Sequence, residues 1–209
     1  MPVKINEREY RDIDLGGMEL RTMDDGQMIV RGYATKWNEY TLWDDGEYRM
    51  LESFDPHSFD KTDLTDDIMQ LNHEGRVYAR VSNGTLKVMP DETGLFIEAY
   101  LGGTEEGRKL FEEIKGGYLT KMSHGFRSNR AKEIRRVEET PDRVIIHRMI
   151  TEVNKHFDVS VVSQPANDAT EISVRNIGEG VISEVKEERL AIEAQRKTKE
   201  QIAILADSI

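Results

Sequence analysis

Apolar and polar positions divide the chain into three zones. Residues 1–25 are mostly polar, with scattered apolar positions and a Gly16-Gly17 break. This pattern predicts a loosely held arm or an edge strand. Residues 26–176 are densely patterned and mostly strand-like, with runs at 28–34, 47–54, 67–73, 85–89, 95–101, 118–126, 143–151 and 157–162. Pro56 stops the second run and opens a short helix through Phe59. Residues 90–94 read as a hairpin turn in which Gly94 supplies a positive φ. Residues 104–114 predict a helix capped by Thr104, with Glu105 and Glu106 at its positive end and Gly116-Gly117 as its stop. Residues 131–143 are charged and predict a loop, and 164–167 predict a turn. Residues 177–209 change to helix-forming composition, with Val185, Leu190, Ile192, Ile202, Ile204 and Leu205 among many charges. Such a helix is weak unless it packs on something. The expectation is an α+β protein, mainly β: a closed β-barrel flanked by helices (26–176), preceded by an arm (1–25) and followed by a helical tail (177–209).

Charge and composition narrow the function classes. The 209 residues carry 29 Lys and Arg against 40 Asp and Glu, a net charge of −11. That balance argues against a general grip on nucleic acid or on an anionic membrane surface. No run of about 18 apolar residues is present, so no membrane-spanning helix is expected. The absence of cysteine removes thiolate nucleophiles and zinc-thiolate sites, and fits a reducing compartment. No two histidines have the spacing of a helical zinc site, so neither metal nor cofactor is expected.

A nucleophile must then be Ser, Thr, Lys or a carboxylate. Three segments hold the residues for serine chemistry: Gln70-Leu71-Asn72-His73-Glu74, Lys121-Met122-Ser123-His124-Gly125-Phe126, and Phe157-Asp158-Val159-Ser160-Val161-Val162. A serine hydroxyl must lose its proton as it attacks. A neutral imidazole can take that proton, and a third group can hold the ring. Strand parity puts Ser123 and Asp158 opposite the core-facing residues, with His156 on the same face as Asp158. Tyr118, Met122 and Phe126 would take the core side. Tens of residues separate the three segments, so a closed sheet is expected to unite them. A strand serine can also be purely structural, His73 a simple polar residue, and Asp158 half of an ordinary ion pair.

The residues Arg31-Gly32-Tyr33-Ala34, Glu52-Ser53-Phe54-Asp55-Pro56-His57-Ser58-Phe59, Leu71-Asn72-His73, Gly94-Leu95, Met122-Ser123-His124-Gly125-Phe126 and Asp158-Val159-Ser160-Val161-Val162-Ser163-Gln164-Pro165-Ala166-Asn167, in that order, resemble the HK97-type prohead proteases of tailed bacteriophages. That family is distantly similar to the herpesvirus assembly proteases, which are closed barrels. The resemblance implies a serine endopeptidase acting in the host cytoplasm, inside an assembling procapsid. It implies the scaffold protein and the major capsid protein as partners, with self-cleavage and a homo-oligomer both allowed. It maps the family histidine onto His73 and the family serine onto Ser123. The family acid is usually Glu; Asp158 stands there, one methylene shorter. The herpesvirus relatives use a second histidine as third member, which makes His156 the alternative to Asp158, with His147 behind it. A non-catalytic assembly protein or a peptide-binding module would keep the strands without needing His73 and Ser123 together. An ester hydrolase is disfavoured because no Gly-x-Ser-x-Gly elbow is present.

Overall fold

A computed structural model describes residues 8–14, 18–23, 26–163 and 168–206. Thirteen strands and two α-helices appear among them. The strands are β1 (Glu9–Asp14), β2 (Glu19–Thr22), β3 (Met28–Lys36), β4 (Tyr40–Asp44), β5 (Tyr48–Phe54), β6 (Ile68–Leu71), β7 (Glu74–Arg80), β8 (Leu86–Pro90), β9 (Gly94–Tyr100), β10 (Lys121–Ser128), β11 (Ile134–Glu139), β12 (Val144–Ile150) and β13 (Val153–Val162). The helices are α1 (Glu105–Lys115) and α2 (Asp168–Ala206).

The α+β character matches the sequence reading, but the strand ladders do not close into a barrel. Among the described residues they form three open sheets, ordered β1-β10-β13-β6-β7, β11-β12-β5-β4 and β2-β3-β9-β8. The sheets meet face to face through side chains. One core cluster joins Val30, Leu95 and Ile97 of the third sheet to Met69, Met122, Phe126 and Val159 of the first, with Leu110, Phe111 and Ile114 of α1 packed in. Those α1 residues form the stripe that its i, i+1, i+4 spacing demands. Thr104 Oγ1 accepts the Gly107 amide at 3.0 Å, so the cap falls where the sequence places it.

A second, smaller cluster seats the tail helix. Ile177, Val181, Ile182 and Val185 of α2 pack on Tyr48, Met50, Val144 and Ile146, with Trp43 partly buried beside them. Gly178 lets α2 approach the Trp43 ring, where an added Cβ would stand 3.1 Å from Trp43 Cγ. Beyond this seat Leu190, Ile192 and Ile202 are exposed. α2 also lies against β1.

Several local expectations change. Residues 56–61 make successive hydrogen-bonded turns rather than a helix. The charged 131–143 segment contains β11, because an edge strand with solvent on both faces tolerates charge. Gly94 is needed for close approach rather than for a positive φ: its Cβ would lie 2.0 Å from the Thr35 carbonyl oxygen. The strand expected at 118–126 starts at Lys121, so Tyr118 is 80% exposed and Leu119 joins the core. The 164–167 turn lies outside the described residues.

Candidate active site

The first sheet assembles the site. In an antiparallel ladder, directly paired residues share a face. On β10, Ser123 pairs with Ser160 and Gly125 with Asp158 of β13. On the other side of β10, Asp12 and Tyr10 of β1 pair with Ser123 and Gly125. Tyr10, Asp12, Ser123, Gly125, Asp158 and Ser160 therefore look out from one face. Met122, His124 and Phe126 look inward, as the parity argument requires, and Met122 and Phe126 are core residues.

His73 reaches this face through a strained turn. β6 runs parallel to β13, with Gln70 opposite Ser160. A two-residue turn, Asn72-His73, then reverses the chain into β7, with φ of 54° at Asn72 and 61° at His73. Such turns want Asn-Gly, because a left-handed backbone is costly for a residue with a Cβ. Asn72 holds the turn in place: its N–H donates to Val161 O at 2.9 Å and its Oδ1 accepts the Ser163 N–H at 2.9 Å. A histidine where glycine is preferred carries backbone strain.

The result is a tight hydrogen-bonded pair. His73 Nδ1 lies 2.6 Å from Asp158 Oδ2, and Ser160 Oγ donates to the same Oδ2 at 2.6 Å. Arg8 forms an ion pair with Asp158 Oδ1, and the Tyr10 ring packs on the His73 ring at a centroid distance of 4.4 Å. Gly125 makes room for this cluster, since a Cβ there would sit 2.6 Å from both Asp158 Oδ1 and Arg8 Nε. Among the buried atoms on the face that lack a hydrogen-bond partner are His73 Nε2 and Ser123 Oγ. One is an acceptor in the tautomer that donates from Nδ1, and the other is a donor. Orphaned buried polar atoms are rare enough to need a reason.

His156 goes elsewhere. The ladder shifts after Gly125: Gly125 pairs with Asp158 but Phe126 pairs with His156, so Phe157 is the extra residue of a β-bulge. The bulge turns His156 to the core side, against the parity expectation. There its Nδ1 lies 2.5 Å from Asp67 Oδ2 and its Nε2 lies 3.3 Å from His124 Nδ1. His147 belongs to a different sheet, with Nδ1 2.7 Å from Glu39 Oε1. Arg8, Tyr10 and Ser160 were not singled out by the sequence reading. Residues 8–12 read as polar on both faces, and Ser160 differs from any strand serine only in sharing the face of Asp158.

Burial, with the Arg8 charge adding to it, pushes the His73 imidazole down to about 3. Burial and then the neighbouring His156 push His124 well below its ordinary value. Both rings are thus held neutral in the fold. A base whose folded pKa lies below its unfolded value stabilises fully above about pH 6.5, and that stability is lost as pH falls toward the folded value. The two histidines should contribute about two of the protons that unfolding takes up near pH 5. His124→Phe should remove about one of them, read from the pH slope of the unfolding free energy.

Residues 17–184 match the family model described as the caudovirus prohead serine protease. The chain also resembles the solved structure of the bacteriophage T4 capsid assembly protease, gp21. The two are 12% identical, with TM-score 0.38, and the likeness covers 77% of this chain and 100% of that one. No curated protein matches the sequence.

Proposed function

This chain belongs to the caudovirus prohead serine proteases, and on that premise we propose that Ser123, His73 and Asp158 are its catalytic triad, cleaving the scaffold protein or the scaffold-like part of the major capsid protein during procapsid maturation. The observation that carries this reading is the pairing of His73 Nδ1 with Asp158 at 2.6 Å while His73 Nε2 and Ser123 Oγ stay buried and unpartnered.

The chemistry follows from the atoms. Ser123 Oγ attacks the scissile carbonyl as His73 Nε2 takes its proton. Asp158 keeps the Nδ1–H tautomer in place and stabilises the imidazolium that forms. Ser160 Oγ holds the same carboxylate oxygen, which fixes the shorter Asp at the distance His73 needs. The imidazolium then gives its proton to the leaving amine, and water repeats the cycle on the acyl-enzyme. Main-chain N–H groups stabilise the oxyanion, with the 125–127 stretch as candidates. A substrate segment enters as an extended strand, held by main-chain hydrogen bonds. Residues 26–176 form the catalytic unit in this reading, and the 177–209 tail tethers the enzyme to scaffold or is trimmed by it.

Co-expression with the neighbouring capsid genes tests the assignment. A scaffold or capsid fragment should appear with the unmodified chain and be absent with Ser123→Ala. Undiminished cleavage by Ser123→Ala would sink it.

A further inference from the structure

β10, the strand that carries Ser123, has two neighbours. One is β13, which carries Asp158 and cannot leave without dismantling the pair with His73. The other is β1, which ends the sheet order and precedes the family-matched span of 17–184. A substrate that joins β10 as a strand must take the place of β1, because the outward main-chain groups of β10 are already spent on it.

β1 also covers the chemistry. Asp12 is paired across the ladder with Ser123, Tyr10 lies on the His73 ring, and Arg8 is bonded to Asp158. Ser123 and Asp158 are both 0% exposed. In this arrangement no carbonyl carbon can reach Ser123 Oγ from solvent.

The inward face of β1 says what holds it there. Arg11 Nη2 donates to Glu52 Oε2 at 2.8 Å, and Arg148 Nη1 donates to Glu9 Oε2 at 3.0 Å, all four side chains being buried. Withdrawing β1 removes one carboxylate and one guanidinium together. Arg148 keeps Glu52 and Glu133, while Arg148 and Glu52 each lose one buried partner. A strand that returns the same two groups restores the pairing.

Resting on the triad assignment above, we propose that the slot beside β10 is the substrate's, that β1 is its built-in occupant and keeps the protease shut, and that Arg148 and Glu52 read the strand that displaces it, selecting a carboxylate and a guanidinium two residues apart. Arg148 takes the carboxylate and Glu52 the guanidinium, as they take Glu9 and Arg11. Unpaired partners in a buried slot penalise strands that lack either group.

The cysteine-free chain allows a direct test, read as fluorophosphonate labelling of Ser123. Asp14 and Lys121 are paired across the ladder, so Asp14→Cys with Lys121→Cys ties β1 to β10 on oxidation. The reduced pair should label at the parent's rate and the oxidised pair at least about tenfold more slowly, because the competent fraction sets the apparent rate. Arg8→Ala with Tyr10→Ala should label faster than the parent by a similar factor. A peptide with the sequence of residues 8–14 should suppress labelling of that loosened variant. The same peptide with Gln in place of Glu9 and Arg11 should be much weaker. Equal labelling of the oxidised and reduced forms overturns the gate and leaves the triad standing. Equal potency of the two peptides overturns the selection by Arg148 and Glu52. No Ser123 labelling in any form, the loosened variant included, removes the triad and the gate with it.

Discussion

His73→Gly should abolish proteolysis while leaving the fold as stable as before, or more so. The two halves of this expectation have separate causes. His73 sits at φ 61° directly after Asn72 at φ 54°, a turn for which glycine is the preferred second residue. Relieving a left-handed backbone at a residue with a Cβ is worth roughly 1 kcal/mol. Glycine also removes an imidazole that burial keeps neutral at a cost below about pH 6.5. Against these gains stand the lost contacts with Tyr10 and Asp158. Asp158 keeps Arg8 and Ser160, so its carboxylate is not left bare. Activity has no such compensation. Without a base Ser123 cannot lose its proton as it attacks, and loss of one triad member costs on the order of 10⁴-fold or more. Thermal melts at pH 8 and cleavage of a co-expressed scaffold give the two readouts. A variant that unfolds would mean that His73 is there for packing. One that still cleaves would mean that another group takes the proton.

Part of this site was legible because strands have a period of two. Ser123 and Asp158 fall on the same face of their strands by counting alone, and the register confirms that Gly125 stands opposite Asp158. His156 was misplaced by the same counting. His156-Phe157-Asp158-Val159 alternates regularly in the sequence, and nothing in it announces that Phe157 is extra. A bulge is a property of the pair of strands, which one strand's pattern does not contain. The closed barrel failed for a related reason. Alternation says which residues face inward but not which strands share a ladder, and three open sheets bury the same residues as one closed one. β1 shows the opposite problem. Glu9-Tyr10-Arg11-Asp12 reads as polar on both faces, and polar usually means solvated. Here one face meets buried countercharges and the other covers His73 and Asp158. The Asn72-His73 turn was hidden because the strand pattern runs on through residue 73, whereas β6 ends at Leu71.

The buried countercharges lead to the second large effect: Arg148→Met should cost about 3–5 kcal/mol, and most of that loss should disappear in mild acid. Two guanidiniums, Arg11 and Arg148, serve three carboxylates, Glu9, Glu52 and Glu133. Burial alone would raise the Glu9 and Glu52 carboxyls. The Arg148 and Arg11 charges overcome it and hold both below their ordinary range. An acid held low stabilises the fold above its unfolded pKa, near 4.3, and loses that contribution as pH falls through the folded value. Methionine has about the length to fill the space but carries no charge, so one guanidinium is left for three acids. Glu9 loses the largest of the charges that hold it low, its carboxyl rises under burial, and the fold regains stability relative to the parent as pH drops. The deficit relative to the parent should therefore be largest near pH 8, on the order of 10 °C in Tm, and shrink toward pH 5. His73 and His124 are the same in both proteins, so their own acid sensitivity cancels in the difference. A deficit independent of pH would mean that the three carboxylates do not depend on Arg148. The seat that anchors β1 would then have to be held by Arg11 and the Tyr40 hydroxyl, which lies 2.5 Å from Glu52 Oε1, and strand selection would rest on Glu52 alone.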